Sequence, residues 1–128
     1  MGTFHVSCEV ESLTDHGRRA TVDSLLVDTG SECTWLPRAA LEAIGELRPR
    51  KERRFSMANG QTITRQVVYA LLRVGSDETT DEVVLAEPGD LHLLGARTLE
   101  GLGLRVDSLH KRLIPAGPAP AARVAAVA

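Results

Sequence analysis

Apolar and polar residues alternate along most of this chain, and the period-two pattern predicts short strands joined by turns. From Thr3 to Leu13, Phe4, Val6, Cys8 and Val10 alternate with more polar neighbours. Thr14-Asp15-His16-Gly17 predicts a turn, and Arg18 to Val27 runs back through Ala20, Val22 and Leu25-Leu26-Val27 as the second arm of an antiparallel hairpin that delivers Asp28 into the interior. The apolar pattern resumes at Cys33, Trp35 and Leu36. Arg38 to Leu47, opened by Pro37, carries Ala39, Leu41, Ala43, Ile44 and Leu47 at spacings that predict a helical turn or two. Asn59-Gly60 between strand-like runs predicts a hairpin over Phe55 to Thr64. Gln66–Val74 and Asp81–Ala86 predict two more strands, joined by a polar turn at Gly75-Ser76-Asp77-Glu78. Glu87-Pro88-Gly89-Asp90 is a further turn, Ala96 to Leu102 a short helix stopped by Gly103, and Leu104 to Ile114 a last strand or hairpin. The pattern then stops. The sequence predicts one all-β domain over 1–115, with one or two short helices, and a flexible Pro/Ala-rich tail over 116–128.

At 128 residues the chain is long enough for one domain with its own core. A net charge of -2 offers no attraction for nucleic acid or an anionic membrane, and neither partner is expected. The basic run from Arg48 to Arg54 predicts a solvated loop or edge strand, since Phe55 is the one aromatic residue beside it for bases to stack on. Only 3% of residues are aromatic, so the core must be built from Leu, Val, Ile and Ala. Cys8 and Cys33 lack CxxC spacing, and His5, His16, His92 and His110 are scattered, so no metal and no cofactor is expected. Each cysteine sits in an apolar run, which predicts buried free thiols and a reducing, cytoplasmic setting. The N-terminus has no basic segment followed by an apolar run, and no stretch approaches the ~18 apolar residues of a membrane span.

Chemistry enters at Asp28. A run of β-forming apolar residues leads straight into this acid, and a carboxylate at the end of a buried strand loses hydration unless it is hydrogen-bonded, paired or partly protonated. Thr29, Gly30 and Ser31 supply small donors and a tight turn. An isolated Asp-Thr-Gly is more often a surface turn, but a surface turn has no need of Leu25-Leu26-Val27 packed against it.

The stretch from Leu25 to Leu36, with Asp28-Thr29-Gly30-Ser31 at its centre, resembles the active-site signature of the retropepsin-like aspartic proteases. A second landmark is Leu93-Leu94-Gly95 followed by a short helix, which in that family packs behind the catalytic loop. Family members often carry Arg directly after this glycine, followed by Asp or Asn, whereas here Ala96 precedes Arg97 and Thr98. The resemblance spans roughly residues 3–115 and implies a small closed β-barrel or sandwich that hydrolyses peptide bonds. It implies Asp28 as the catalytic acid. Thr29 is implied as a hydroxyl that crosses to brace a partner's loop, Gly30 as a point of close backbone approach, and Ser31 as a donor to the outer oxygen of Asp28. The hairpin residues Met57, Ala58, Asn59, Gly60 and Gln61 stand where the family's flap closes over a peptide, although a plain structural hairpin fits the same residues. The mechanism requires two carboxylates, and a chain with one such loop implies a homodimer acting on a peptide or protein substrate. A non-catalytic dimerisation or peptide-binding module of the same fold is the alternative, and an unrelated small β-barrel with a chance Asp-Thr-Gly the third reading.

Overall fold

The computed structural model describes residues 3–122 and contains nine strands and two helices among them. The strands are β1 (His5–Glu11), β2 (Arg19–Val27), β3 (Thr34–Pro37), β4 (Lys51–Ser56), β5 (Thr62–Val74), β6 (Asp77–Ala86), β7 (Leu93–Leu94), β8 (Leu104–Asp107) and β9 (Arg112–Pro115). Helix α1 (Arg38–Ala43) follows β3, and α2 (Ala96–Leu102) follows β7. The all-β expectation with short helices holds.

Seven strands form one sheet in the order β1-β2-β7-β3-β6-β5-β4, and an added pairing of β1 with β5 closes it into a ring. The length of β5 permits this closure. Along one edge its first half pairs with β4, from Thr62 to Val67, and its second half with β1, where Leu71, Leu72 and Arg73 meet Glu11, Val10 and Glu9. The other edge pairs with β6 from Val67↔Val84 to Val74↔Asp77. A ring leaves fewer unpaired edges than an open sheet, and β4 with its basic residues remains at an edge, as its charge predicts.

Alternate positions of the ring turn inward. Val10, Leu25, Leu36, Leu72, Val83 and Leu94 are buried in one cluster, which α1 joins through Leu41 and α2 through Leu99. Without large aromatic rings at its centre, the core is packed from aliphatic side chains. Cys8 and Cys33 are both buried and free. The last segment is a hairpin, β8 against β9, separate from the main sheet and reversed at Lys111 with a φ of 51°.

Two strand starts differ from the sequence pattern. β6 begins at Asp77 rather than Asp81, because Gly75 adopts a φ of 60° and shortens the expected four-residue turn to Gly75-Ser76. The polar Asp77–Thr80 stretch pairs along the outer half of β5, where Arg73 meets Glu78. β5 begins at Thr62 rather than Gln66, since nothing interrupts the chain after the Asn59-Gly60 turn. Of the expected tail, residues 116–122 have no regular structure, although Ala116 N–H still donates to Gly103 O. Residues 123–128 lie outside the described residues. No helix among the described residues is long and apolar enough to cross a membrane.

Candidate active site

Asp28 stands where β2 and β7 part. These two strands run parallel, with Leu26 beside Leu93 and Val27 beside Leu94, and the Asp28 N–H makes the last rung by donating to Leu94 O at 3.0 Å. Beyond it the chain folds back on itself. Ser31 N–H donates to Asp28 O at 3.2 Å, and Gly30 N–H donates to Asp28 Oδ1 at 2.9 Å. A Cβ on Gly30 would sit 3.2 Å from that carboxylate oxygen, so glycine keeps the approach open.

The outgoing limb of the loop is held from behind. Ala96 N–H donates to Ser31 O at 2.8 Å and Arg97 N–H to Glu32 O at 3.0 Å. Gly95 N–H donates to Thr34 Oγ1 at 3.0 Å, Thr34 and Thr98 hydroxyls lie 2.6 Å apart, and Thr98 donates to Asp81 Oδ2 at 2.9 Å. The carboxylate only accepts, which orients the whole chain: Thr34 must give its proton to Thr98, and Thr98 gives its own to Asp81. Thr34 and Thr98 are both fully buried, so each of these bonds spares a polar group an uncompensated desolvation. Leu93 and Leu94 are buried. Arg97 turns away from the loop toward Asp81 and Glu82, at 3.6 and 3.5 Å.

Two expectations need correction. The Ser31 hydroxyl does not reach Asp28; it donates to Cys33 O at 3.0 Å, because the turn carries Ser31 past the acid and over the start of β3. Asp28 is not delivered into the interior either. It is half-buried, with Thr29 and Gly30 beside it exposed, because the ring interior closes at Leu25 and Val27 and the acid projects beyond them.

What Asp28 faces is a cleft of about 620 Å³. The loop residues Asp28, Gly30 and Ser31 form one wall, and β4 with the start of its turn, Arg53 to Ala58, forms the other. Trp35 and Phe55, which both line the cleft, pack against each other with ring centroids 4.9 Å apart and planes tilted by 51°. Met57 and Ala58 of the candidate flap line the cleft; Asn59, Gly60 and Gln61 form the exposed tip beyond it. The tip is a well-bonded turn, with Met57 N–H donating to Gln61 O at 2.7 Å, Gln61 N–H to Asn59 Oδ1 at 2.9 Å, and a φ of 85° at Gly60.

The charges around the cleft are mostly paired. Arg65 holds Asp90 in a two-pronged pair, Nε to Oδ2 at 2.7 Å and Nη2 to Oδ1 at 2.9 Å, and this pairing keeps the Asp90 carboxyl below its ordinary range. Burial works against the Glu82 carboxylate, but bonds from Lys51 and Arg53 outweigh it and hold Glu82 below the usual range too. Burial pushes the Cys33 thiol up, against the opposing pull of Arg53. The basic run is therefore not uniformly solvated: Lys51 and Arg53 turn to Glu82, and Arg53 lines the cleft. Sequence periodicity did not single out Arg53, Glu82, Thr34, Thr98 or Asp81. Among the described residues no cluster of three or more His, Cys, Asp or Glu side chains is arranged to hold a metal.

A family model described as aspartyl protease matches residues 12–98, which include the Asp28 loop, both cleft walls and Leu93-Leu94-Gly95. Among solved structures, the solution structure of the simian foamy virus (mac) protease matches with 22% identity over 75% of this chain and 91% of that one, at a TM-score of 0.49. Among curated proteins no match to the chain is found.

Proposed function

Because this chain belongs to the aspartyl protease family, we propose that it is an endopeptidase whose catalytic pair consists of the Asp28 side chains of two copies of the chain. The observation that carries this reading is the state of the cleft carboxylates. Three of them line the cleft, Asp28, Glu32 and Asp90. Asp90 is committed to Arg65 and to the Glu87 N–H, and Glu32 points outward with its side chain 64% exposed. Neither is placed to share a proton with Asp28. Asp28 in turn is only half-buried, and the loop residues next to it are open to a partner.

A two-fold axis passing between two such loops supplies the missing carboxylate from an identical surface. With two carboxyls at close range and one proton between them, the ionised Asp28 accepts a proton from water as the water oxygen attacks the peptide carbonyl carbon. The protonated Asp28 donates to the carbonyl oxygen as charge develops there. On collapse of the tetrahedral species the C–N bond breaks, the carboxyl that took the proton from water passes it to the amine nitrogen, and the other carboxylate takes its proton back from the hydroxyl formed on the carbonyl carbon. Gly30 N–H, bonded to Asp28 Oδ1, orients the acid for this, and Thr29 is the hydroxyl that crosses between the loops. Met57 and Ala58 cover the peptide, the role the flap plays in the family. Two buried free thiols suit a reducing compartment, which favours the cytoplasm.

The test is incubation of the purified protein with an unfolded protein from acid to neutral pH, with and without a peptide carrying a hydroxyl group in place of its scissile carbonyl. New internal fragments that the hydroxyl peptide suppresses support the reading. A stable dimer that binds the peptide and yields no fragments at any pH contradicts it and favours a binding module.

A further inference from the structure

We propose that Arg53 is the seat for an acidic side chain of the bound peptide, an assignment that deepens the protease reading and rests on it. The guanidinium is anchored at one nitrogen. Nη1 donates to Glu82 Oε2 at 3.0 Å and lies 3.1 Å from Cys33 Sγ, while the Phe55 ring centroid lies 5.6 Å from the guanidinium carbon. Glu82 is itself bonded to Lys51 Nζ, so the anchor is held from a second strand position.

The other edge of the guanidinium is open. Among the described residues, Arg53 Nε and Nη2 have no hydrogen-bond partner. The nearest additional anion, Glu32, stands 3.9 Å from Nη2, beyond hydrogen-bonding distance, on a side chain that is mostly exposed. Arg53 lines the cleft with its side chain 27% exposed. This free Nε/Nη2 edge presents two parallel N–H groups that match the two oxygens of a carboxylate. Arg65 uses that same edge to hold Asp90, which lines the same cleft.

The local charge balance favours the same ligand. Lys51, Arg53 and Arg97 surround two inner carboxylates, Asp81 and Glu82, leaving one positive charge for which Glu32 is the loose counter-ion. An acidic side chain arriving in the cleft displaces Glu32, whose exposure lets it swing into water, and meets a guanidinium already fixed in place. Little ordering cost remains for binding to overcome. A neutral amide of the same shape gains neither the charge nor the two-pronged geometry.

The experiment uses amidated peptides with a reduced, uncleavable scissile bond, in which Glu is moved one position at a time along an otherwise apolar sequence and compared with Gln at each position. Binding to the whole protein is followed by titration calorimetry. At one position Glu should bind about tenfold or more tighter than Gln, the scale of a charge-assisted bond, and the ratio should shrink in high salt. Arg53→Met should bring the ratio to about one, and Glu32→Gln, by removing the competing carboxylate, should raise it. Equal binding of Glu and Gln at every position, a preference that survives Arg53→Met, or no binding by any peptide overturns the assignment. Should Arg53→Met fail to fold, Glu32→Gln decides: an unchanged or smaller preference overturns it. Amidation removes the terminal carboxylate as a rival source of the effect. Turnover of ordinary peptides without any acid preference leaves the protease reading standing and removes Arg53 from it, whereas acid-selective binding without turnover does the reverse.

Discussion

Gly95 and the Cys33 carbonyl are packed so closely that a Cβ on Gly95 would lie 2.3 Å from the Cys33 oxygen. The neighbouring atoms are backbone, with Cys33 C at 2.5 Å and Glu32 O at 2.9 Å, so no side chain can rotate away to make room. The glycine lets the segment before α2 lie directly under the outgoing limb of the Asp28 loop, where Ala96 and Arg97 donate to Ser31 and Glu32.

Gly95→Ala should therefore damage both stability and the site. The loop and α2 must separate, and overpacking of this kind costs about 1–3 kcal/mol. Urea unfolding should show that loss, and kcat should fall more than KM rises, because the displaced group is the acid and not the β4 wall that covers the peptide. An alanine variant with the parent's stability and turnover would show that this contact does not set the loop.

Asp28→Asn should preserve the fold and cut turnover by several orders of magnitude. The amide oxygen still accepts from Gly30 N–H, so the turn survives, but an amide cannot take the proton from water. Cleavage by the purified variant at the parent's rate would remove Asp28 from the chemistry.

Thr98→Val should leave the fully buried Thr34 hydroxyl without its acceptor and take from Asp81 Oδ2 the donor it has in Thr98. A broken buried hydrogen bond of this kind costs about 1–3 kcal/mol. Thr98→Ser, which keeps the hydroxyl, should recover most of the stability measured by denaturant unfolding. Equal losses in both variants would show that the methyl group matters and the hydroxyl chain does not.

These positions also mark how far the sequence could be read. The Asp28 loop was legible because Leu25-Leu26-Val27 cannot be a surface turn, and the hairpin tip because Asn59-Gly60 dictates its own backbone. The supporting polar chain was not, since Thr34 sits in an ordinary alternating strand and Thr98 in an ordinary short helix. Only the pairing of β3 with β7, which α2 follows, makes them neighbours. Arg53 was hidden in a run of basic residues for the same reason: alternation puts Arg53 and Phe55 on one face of β4, but nothing local says that Cys33 and Glu82 lie opposite. The start of β6 was missed because its first residues are polar and pair at an outer edge, where hydrophobic pattern carries no signal.

The acid limb of the stability curve should depend on Asp90. Its carboxyl is held below the ordinary range by Arg65, so the folded state favours the ionised form. That contribution is fully present above the unfolded pKa of about 3.9 and is lost as pH falls through the lower folded value. Asp90→Asn should be less stable than the parent at neutral pH, and the gap should begin to narrow near about pH 4 and close as pH falls through the lower folded value. Unfolding curves measured from pH 7 downward check this, and a gap that stays constant into strong acid would contradict it.

The central claim is that one chain holds half a site, and dilution tests it directly. Activity per chain, assayed across a dilution series while sedimentation follows the oligomer, should fall with the same midpoint as dimer dissociation, because each monomer carries a single Asp28 in its cleft. Activity per chain that stays constant into a range where sedimentation shows only monomer would contradict the shared site, even if cleavage itself were genuine.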